Sequence, residues 1–239
     1  ADIIAYHEEK GADITMAYHE EAGKIDQSYF LTFAANETGR IEEVQISPKT
    51  TATSKSNVYI NIMVINREFL LNIIQDAVTR GLTSFGKDIL TKQVDSLKLY
   101  AYHFSGYYAG INSLQKYFQH SMELLDKKTR DELFGARDIY TKVRDSAPSM
   151  YADDAIVKNS LISDGCVIEG TVENCILFRG VKIGKGSVIR NSIIMQDSVI
   201  GVGVELDSVI TDKNVVIRDR RHLAGCAELP FFIGKGRMI

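Results

Sequence analysis

The densest grouping of chemically capable side chains in this chain is the run Arg218-Asp219-Arg220-Arg221-His222. The guanidinium forks of Arg218, Arg220 and Arg221 match pairs of phosphate oxygens, so the run is a candidate anion or effector site. Lys213, Lys235 and Arg237 stand close by in sequence and add to it. Asp219 weakens it from within, and a charge run on a solvated loop is the plain structural alternative. Elsewhere Lys49 and Lys87 offer ammonium groups for a phosphate, and Asp88 offers a carboxylate that suits either a ligand or a helix N-cap. His7, His19, His103, His120 and His222 fall at no ligand spacing. Cys166, Cys175 and Cys226 show neither even pairing nor metal-ligand spacing, and two of them occupy places where a small apolar group fits. No metal centre is read from these residues, and the first hundred positions contain no glycine-rich phosphate loop.

Composition sets outer bounds on what such groups can do. In 239 residues, 45% are hydrophobic and 25% charged, the balance of an ordinary globular protein able to bury a sizeable core. A net charge of −3 supplies no general field for nucleic acid or an anionic membrane, so neither is an expected partner. No apolar run is long enough for a membrane span and no leader is expected ahead of Ala1. Three cysteines without pairing point to a reducing cytoplasm.

The elements that must position these residues change character along the chain. Asn159-Ser160-Leu161-Ile162, Asn174-Cys175-Ile176-Leu177, Asn191-Ser192-Ile193-Ile194 and Asp207-Ser208-Val209-Ile210 begin four copies of one phrase. Nine residues after each start come Ile168, Ile183, Ile200 and Val216. Short apolar runs punctuated by turns bury no face alone, but stacked as coils of a parallel β-helix they share one core. An antiparallel sandwich is the competing arrangement, disfavoured by poor alternation and by the recurrence of Asn, Ser and Asp at equivalent corners. The coil is expected to be left-handed, to occupy residues 153–239 and to end in a cap over Leu223–Ile239, after a linker at 136–152.

Residues 1–135 read instead as alternating strands and helices, an α/β pattern. A helix over 2–10 closes at Gly11, and strands follow over 12–18, 29–35 and 41–46. The apolar run 58–65 predicts a buried strand, Asn66 an N-cap for a helix over 67–79. A short helix from Asp88, a strand over 97–103 and a helix over 111–125 complete the pattern. Because the chain opens inside a helix, part of this domain is expected to lie upstream.

Four stretches carry a family resemblance that covers nearly the whole chain. They are Ser84-Phe85-Gly86-Lys87-Asp88-Ile89-Leu90, the Gly106-Tyr107-Tyr108 segment, Glu169-Gly170-Thr171-Val172-Glu173-Asn174, and Leu177-Phe178-Arg179-Gly180-Val181-Lys182-Ile183-Gly184. Together they resemble the ADP-glucose pyrophosphorylase (glucose-1-phosphate adenylyltransferase) family, in particular the D-type accessory subunit of bacterial glycogen synthesis. The resemblance implies a Rossmann-like nucleotidyltransferase domain, here truncated at its N-terminal side, followed by a left-handed β-helix that helps build a tetramer. It also implies the reaction of ATP with glucose 1-phosphate to ADP-glucose and pyrophosphate, with magnesium.

Three positions depart from what the resemblance implies for a catalytic member. Where such members carry Glu-Lys-Pro, this chain reads Ile46-Ser47-Pro48, so a hydroxyl replaces the phosphate-binding lysine. Lys49 lies two residues on, either a partial substitute or a solvated turn lysine. Ile62 stands in Ile60-Asn61-Ile62 where a glycine gives room to the sugar. In Tyr107-Tyr108-Ala109-Gly110-Ile111-Asn112-Ser113, Gly110 takes the place of an aspartate that holds magnesium. Asp88 or Asp95 is the fallback source of a metal oxygen. The expectation is a chain that holds no cofactor of its own and regulates or assembles a magnesium-dependent catalytic partner. An active adenylyltransferase whose other half lies upstream is the alternative. A hexapeptide-repeat acyltransferase is weaker still, since no histidine lies between His120 and His222.

Overall fold

Five strands build the N-terminal sheet: β1 (Ile14–Ala22), β2 (Leu31–Ala35), β3 (Ile41–Ile46), β4 (Lys55–Ile65) and β5 (Leu99–His103), in the order β3-β2-β4-β1-β5. This computed structural model describes residues 2–25, 30–135, 139–141 and 144–239. Pairs β1–β4, β2–β3 and β2–β4 are antiparallel and β1–β5 is parallel, so the sheet is mixed. The Asn36 carboxamide oxygen fixes the β2–β3 turn by accepting the backbone N–H groups of Thr38 and Arg40. Ile14, Met16, Leu31, Phe33, Ile41, Val44, Leu99 and Ala101 form the core of this sheet.

Helices flank it where the sequence places them. Helix α1 (Asp2–Lys10) ends at Gly11, at φ +53°. Helix α2 (Arg67–Arg80) starts on Asn66, whose side chain accepts from Glu68 N at 2.9 Å and Phe69 N at 3.3 Å. Phe69, Ile73 and Ala77 turn one stripe of α2 to the core. The short helix near Asp88 is a π-helical turn, Phe85–Leu90, capped by Ser84 rather than by Asp88.

Strand β4 differs from the expected buried strand, since Val58 is its buried residue while Ile62 is 54% exposed. The cause is a bulge. Met16 pairs with Met63 but Tyr18 with Tyr59, so residues 60–62 stand opposite Ala17 alone. Asn61 takes up the slack at φ +62°, a conformation asparagine tolerates, and alternation across the strand is lost.

The second unit is a parallel β-helix with three five-stranded sheets. Every strand pair within it is parallel, which disposes of the sandwich. Ile168, Ile183 and Ile200 stack as expected, but the fourth member of the row is Ile217, with Val216 pairing to Val199. The slip of one residue has a visible origin at the corner. Asn159, Asn174 and Asn191 sit at positive φ, and in the next coil Ser208 holds that backbone position. Their amides form a ladder, Asn159 to Asn174 at 2.8 Å and Asn174 to Asn191 at 3.3 Å, and Asn191 then donates to Asp207 at 3.0 Å. Asp207 takes the polar role, and Ser208 takes the conformation. Counting from Ser208 restores the register.

Cys166 and Cys175 are buried in the coil interior, and burial pushes the Cys175 thiol up to about 12. The segment after Leu223 adds a last layer. Phe231–Ile233 pairs with Val209–Thr211, Met238 bridges Val216, and Ile239 packs on the core. It satisfies backbone groups the final coil leaves open, as Arg218 N donates to Ile239 O at 2.8 Å.

The compact units divide at Ala1–Tyr108 and Ala109–Ile239, upstream of the expected boundary at 135. The reason is helix α3 (Leu114–Glu123), which starts on Ser113 and lays Phe118 over the outward-facing Ile193 and Ile210 of one sheet. All three are buried, so α3 belongs to the coil. Helix α4 (Lys127–Phe134) follows, capped by Asp126. The expected linker includes 136–138 and 142–143, which lie outside the described residues.

Candidate functional site

Two clefts of opposite character open in the N-terminal unit. The first, about 710 Å³, lies against β1–β4 and is lined by Glu20, Glu21, Glu43, Lys49 and Lys55 together with neutral polar residues. The second, about 600 Å³, lies between the bulged part of β4 and the Ser84-Phe85-Gly86 turn. Its walls include Phe30, Phe85, Tyr59 and Tyr108, its polar groups Asn61, Thr83 and Ser84, and none of the described residues that line it carries a charge.

The sequence-predicted positions fall around these clefts unevenly. Lys49 is exposed and lines the charged cleft. Ser47 sits at φ +44°, and its hydroxyl accepts from Phe30 N at 3.2 Å while Ser47 N donates to Phe30 O at 2.8 Å. That hydroxyl is engaged in tying the end of β3 to the start of β2. Ile62 lines neither cleft, because the bulge turns it outward. Ile60 and Asn61 line the uncharged cleft in its place.

Asp88 works locally. Its carboxylate accepts from Ser84 N at 3.1 Å and Thr83 N at 3.3 Å and pairs with Lys92 at 3.1 Å. The Lys92 ammonium first, and the Ser84 amide next, hold that carboxyl below its usual range. Ser84 Oγ in turn accepts from Lys87 N, so residues 84 and 88 brace the turn reciprocally, as in a capping box. The Lys87 side chain is exposed and lines neither cleft.

In the second unit, Gly110 contributes no side-chain oxygen. Among the described residues no group of three or more His, Cys, Asp or Glu side chains stands together to hold a metal ion. Arg218, Arg220 and Arg221 are exposed at the last corner of the coil, with Arg220 at φ +57°. Asp219 lies among them, and its carboxylate accepts from Val202 N at 2.8 Å. Arg218 also reaches the Met238 sulfur at 3.2 Å. Lys213 and Lys235 stack on a different corner, where Gly236 N donates to Lys213 O.

Sequence reasoning missed Tyr59, whose hydroxyl is buried with no partner among the described residues and whose pKa burial raises to about 12. An isolated tyrosine in a strand gives no local signal. It also missed the significance of Asn61, for which the one available cue was an asparagine inside an apolar run.

Comparison with known proteins agrees with this layout. Residues 147–225 match the family described as GlmU-like, C-terminal hexapeptide. The chain is 40% identical to the glycogen biosynthesis protein GlgD of Bacillus subtilis (strain 168) over 178 residues, 74% of this chain and 52% of that protein. It is 30% identical to the glucose-1-phosphate adenylyltransferase of Desulforamulus reducens over 230 residues, 95% of this chain and 57% of that protein. With the enzyme of the same name from Bacillus thuringiensis (strain Al Hakam) it shares 32% over 222 residues, 91% of this chain and 58% of the relative. The chain thus spans a little over half the length of the curated relatives it matches. No helix among the described residues is long and apolar enough to cross a membrane. Over the length it spans, this chain is thus similar to the glycogen biosynthesis protein GlgD and to glucose-1-phosphate adenylyltransferases, with a GlmU-like hexapeptide coil in its C-terminal unit.

Proposed function

We propose that this chain is the regulatory or assembly part of a glucose-1-phosphate adenylyltransferase in glycogen synthesis and does not itself catalyse nucleotidyl transfer. The observation that carries the reading is Ser47. At the place where catalytic members carry a phosphate-gripping lysine, this chain has a hydroxyl already engaged by Phe30 N. A hydroxyl in that state supplies no positive charge against a sugar phosphate. Gly110 adds a second loss, because nucleotidyl transfer relies on metal charge held by carboxylates, and the protein contributes mainly position and electrostatics. Similarity to a protein named for glycogen biosynthesis supports the same reading.

In this reading the magnesium and the chemistry reside in a catalytic partner, and the two kinds of subunit assemble as a tetramer. Arg218, Arg220 and Arg221 take a phosphorylated effector. The protein containing this chain, purified alone, is expected to form no ADP-glucose from ATP and glucose 1-phosphate with magnesium. Co-expressed with a catalytic subunit, it is expected to co-purify and to change that subunit's velocity or effector response. Robust turnover by the protein alone would overturn the reading and favour an active adenylyltransferase, the activity named for its relatives at 30–32% identity.

A further inference from the structure

The N-terminal sheet contains a fork. Strands β2 and β4 pair at Thr32–Val58 and Phe33–Asn57, while β1 follows β4 as far as Ala22–Lys55 and β3 follows β2 as far as Ile41–Ala35. Beyond Phe33–Asn57 the two strand pairs part. The charged cleft of about 710 Å³ is lined from both arms, by Ala34 and Ala35 on one and by Lys55 and Ser56 on the other. Its charged lining consists of Glu20, Glu21, Glu43, Lys49 and Lys55. Because Ala22 pairs with Lys55 and Glu20 with Asn57, Glu20 and Lys55 share a face as diagonal neighbours. They do not close on each other. Among the described residues no ion pair or side-chain hydrogen bond engages Glu20, Glu21, Lys49 or Lys55, and the Glu43 carboxylate accepts from the neutral Gln45 amide at 2.7 Å.

Charges of both signs held apart in one cleft select for a ligand that carries both. A simple anion drawn to Lys49 and Lys55 comes up against three carboxylates, and a simple cation drawn to the glutamates meets two ammonium groups. A neutral molecule strips water from five charges and returns no counter-charge. In a zwitterion the carboxylate meets a lysine and the ammonium meets a glutamate, so one ligand makes charge-assisted hydrogen bonds at both ends. We propose that this cleft binds a small zwitterion, an amino acid with its ammonium and carboxylate on one short carbon chain, the carboxylate on Lys55 and the ammonium on Glu20. Both residues lie outside the positions that carry the regulatory reading, so binding here is independent of it.

Calorimetric titration of the protein containing this chain with glycine, 4-aminobutyrate and 6-aminohexanoate tests it, with hexanoate and hexylammonium as singly charged controls. At least one zwitterion is expected to bind saturably with Kd on the order of 1 mM at low salt, and each control at least about fivefold more weakly. Binding is expected to weaken as salt is raised. Glu20→Gln and Lys55→Gln each remove one charge at an exposed position, with circular dichroism confirming the fold. Each is expected to raise Kd about fivefold, while Lys182→Gln on the β-helix leaves it unchanged. The proposal fails if no zwitterion binds saturably at tens of millimolar, if hexanoate or hexylammonium binds as well as the best zwitterion, or if both cleft variants bind like the parent.

Discussion

Single side chains in this protein carry costs that their ordinary chemistry predicts. Tyr59 buries a hydroxyl without a partner among the described residues, so removing that oxygen relieves a desolvation penalty. Tyr59→Phe is expected to raise the stability of the chain by about 1 kcal/mol, read as an upward shift of a few degrees in Tm. Burial also sets the pH response of Cys175. Its thiol has an ordinary value of 9.0 and is pushed up to about 12 in the folded chain. Between those values the unfolded state releases the proton and the folded state keeps it. This contribution is therefore complete below pH 9 and is lost as pH rises toward 12. Denaturant melts followed across pH 8–12 should show falling stability, and Cys175→Ser should flatten the slope. At pH 8 a thiol reagent is expected to label exposed Cys226 in the native chain and to reach Cys166 and Cys175 after unfolding.

At the level of elements, the coil is held by rows as well as by its core. Asn174 lies mid-ladder at φ +52°, donating to Asn191 and accepting from Asn159. Asn174→Gly loses the ladder bonds alone. Asn174→Ala loses them and adds the strain of a left-handed alanine, about 1–2 kcal/mol more. Chemical denaturation should rank the two in that order, and equal losses would mean the ladder, not the backbone, dominates. Helix α3 offers a cleaner case of packing. Phe118 covers Ile193 and Ile210, so Phe118→Ala is expected to cost about 3–5 kcal/mol and to increase binding of a hydrophobic dye. Gly184 is required for room: a Cβ there would stand 2.5 Å from Gly201 O, a backbone atom of the next coil.

For the molecule as a whole, the distribution of charge matters more than its sum of −3. The uncharged cleft belongs to the N-terminal unit, and the arginine corner closes the last coil of the other. If phosphorylated effectors act at that corner, the double variant Arg220→Ala and Arg221→Ala should abolish their effect on a co-expressed catalytic subunit. Its basal rate should stay unchanged, and raising salt should weaken the effector response of the unmodified assembly. An effector response that survives the double variant would place the anion site elsewhere.

Periodicity together with the recurring Asn, Ser and Asp corners pointed to the parallel coil, because short apolar pairs every 15 to 17 residues share a core when they stack on their neighbours. Local chemistry likewise determined α2, since Asn66 and Gly81 mark its ends by caps that need no tertiary partner. What the chain does with its odd residues was decided in three dimensions. Asp207 and Ser208 divide a role that one asparagine plays in earlier coils, a division visible only once side-chain ladder and backbone conformation are both seen. Helix α3 joined the coil because the outward-facing Ile193 and Ile210 needed cover, and sequence order does not say which domain supplies it. The β4 bulge exchanged Ile62 for Ile60 and Asn61 at the cleft, because strand alternation holds only while pairing stays in register.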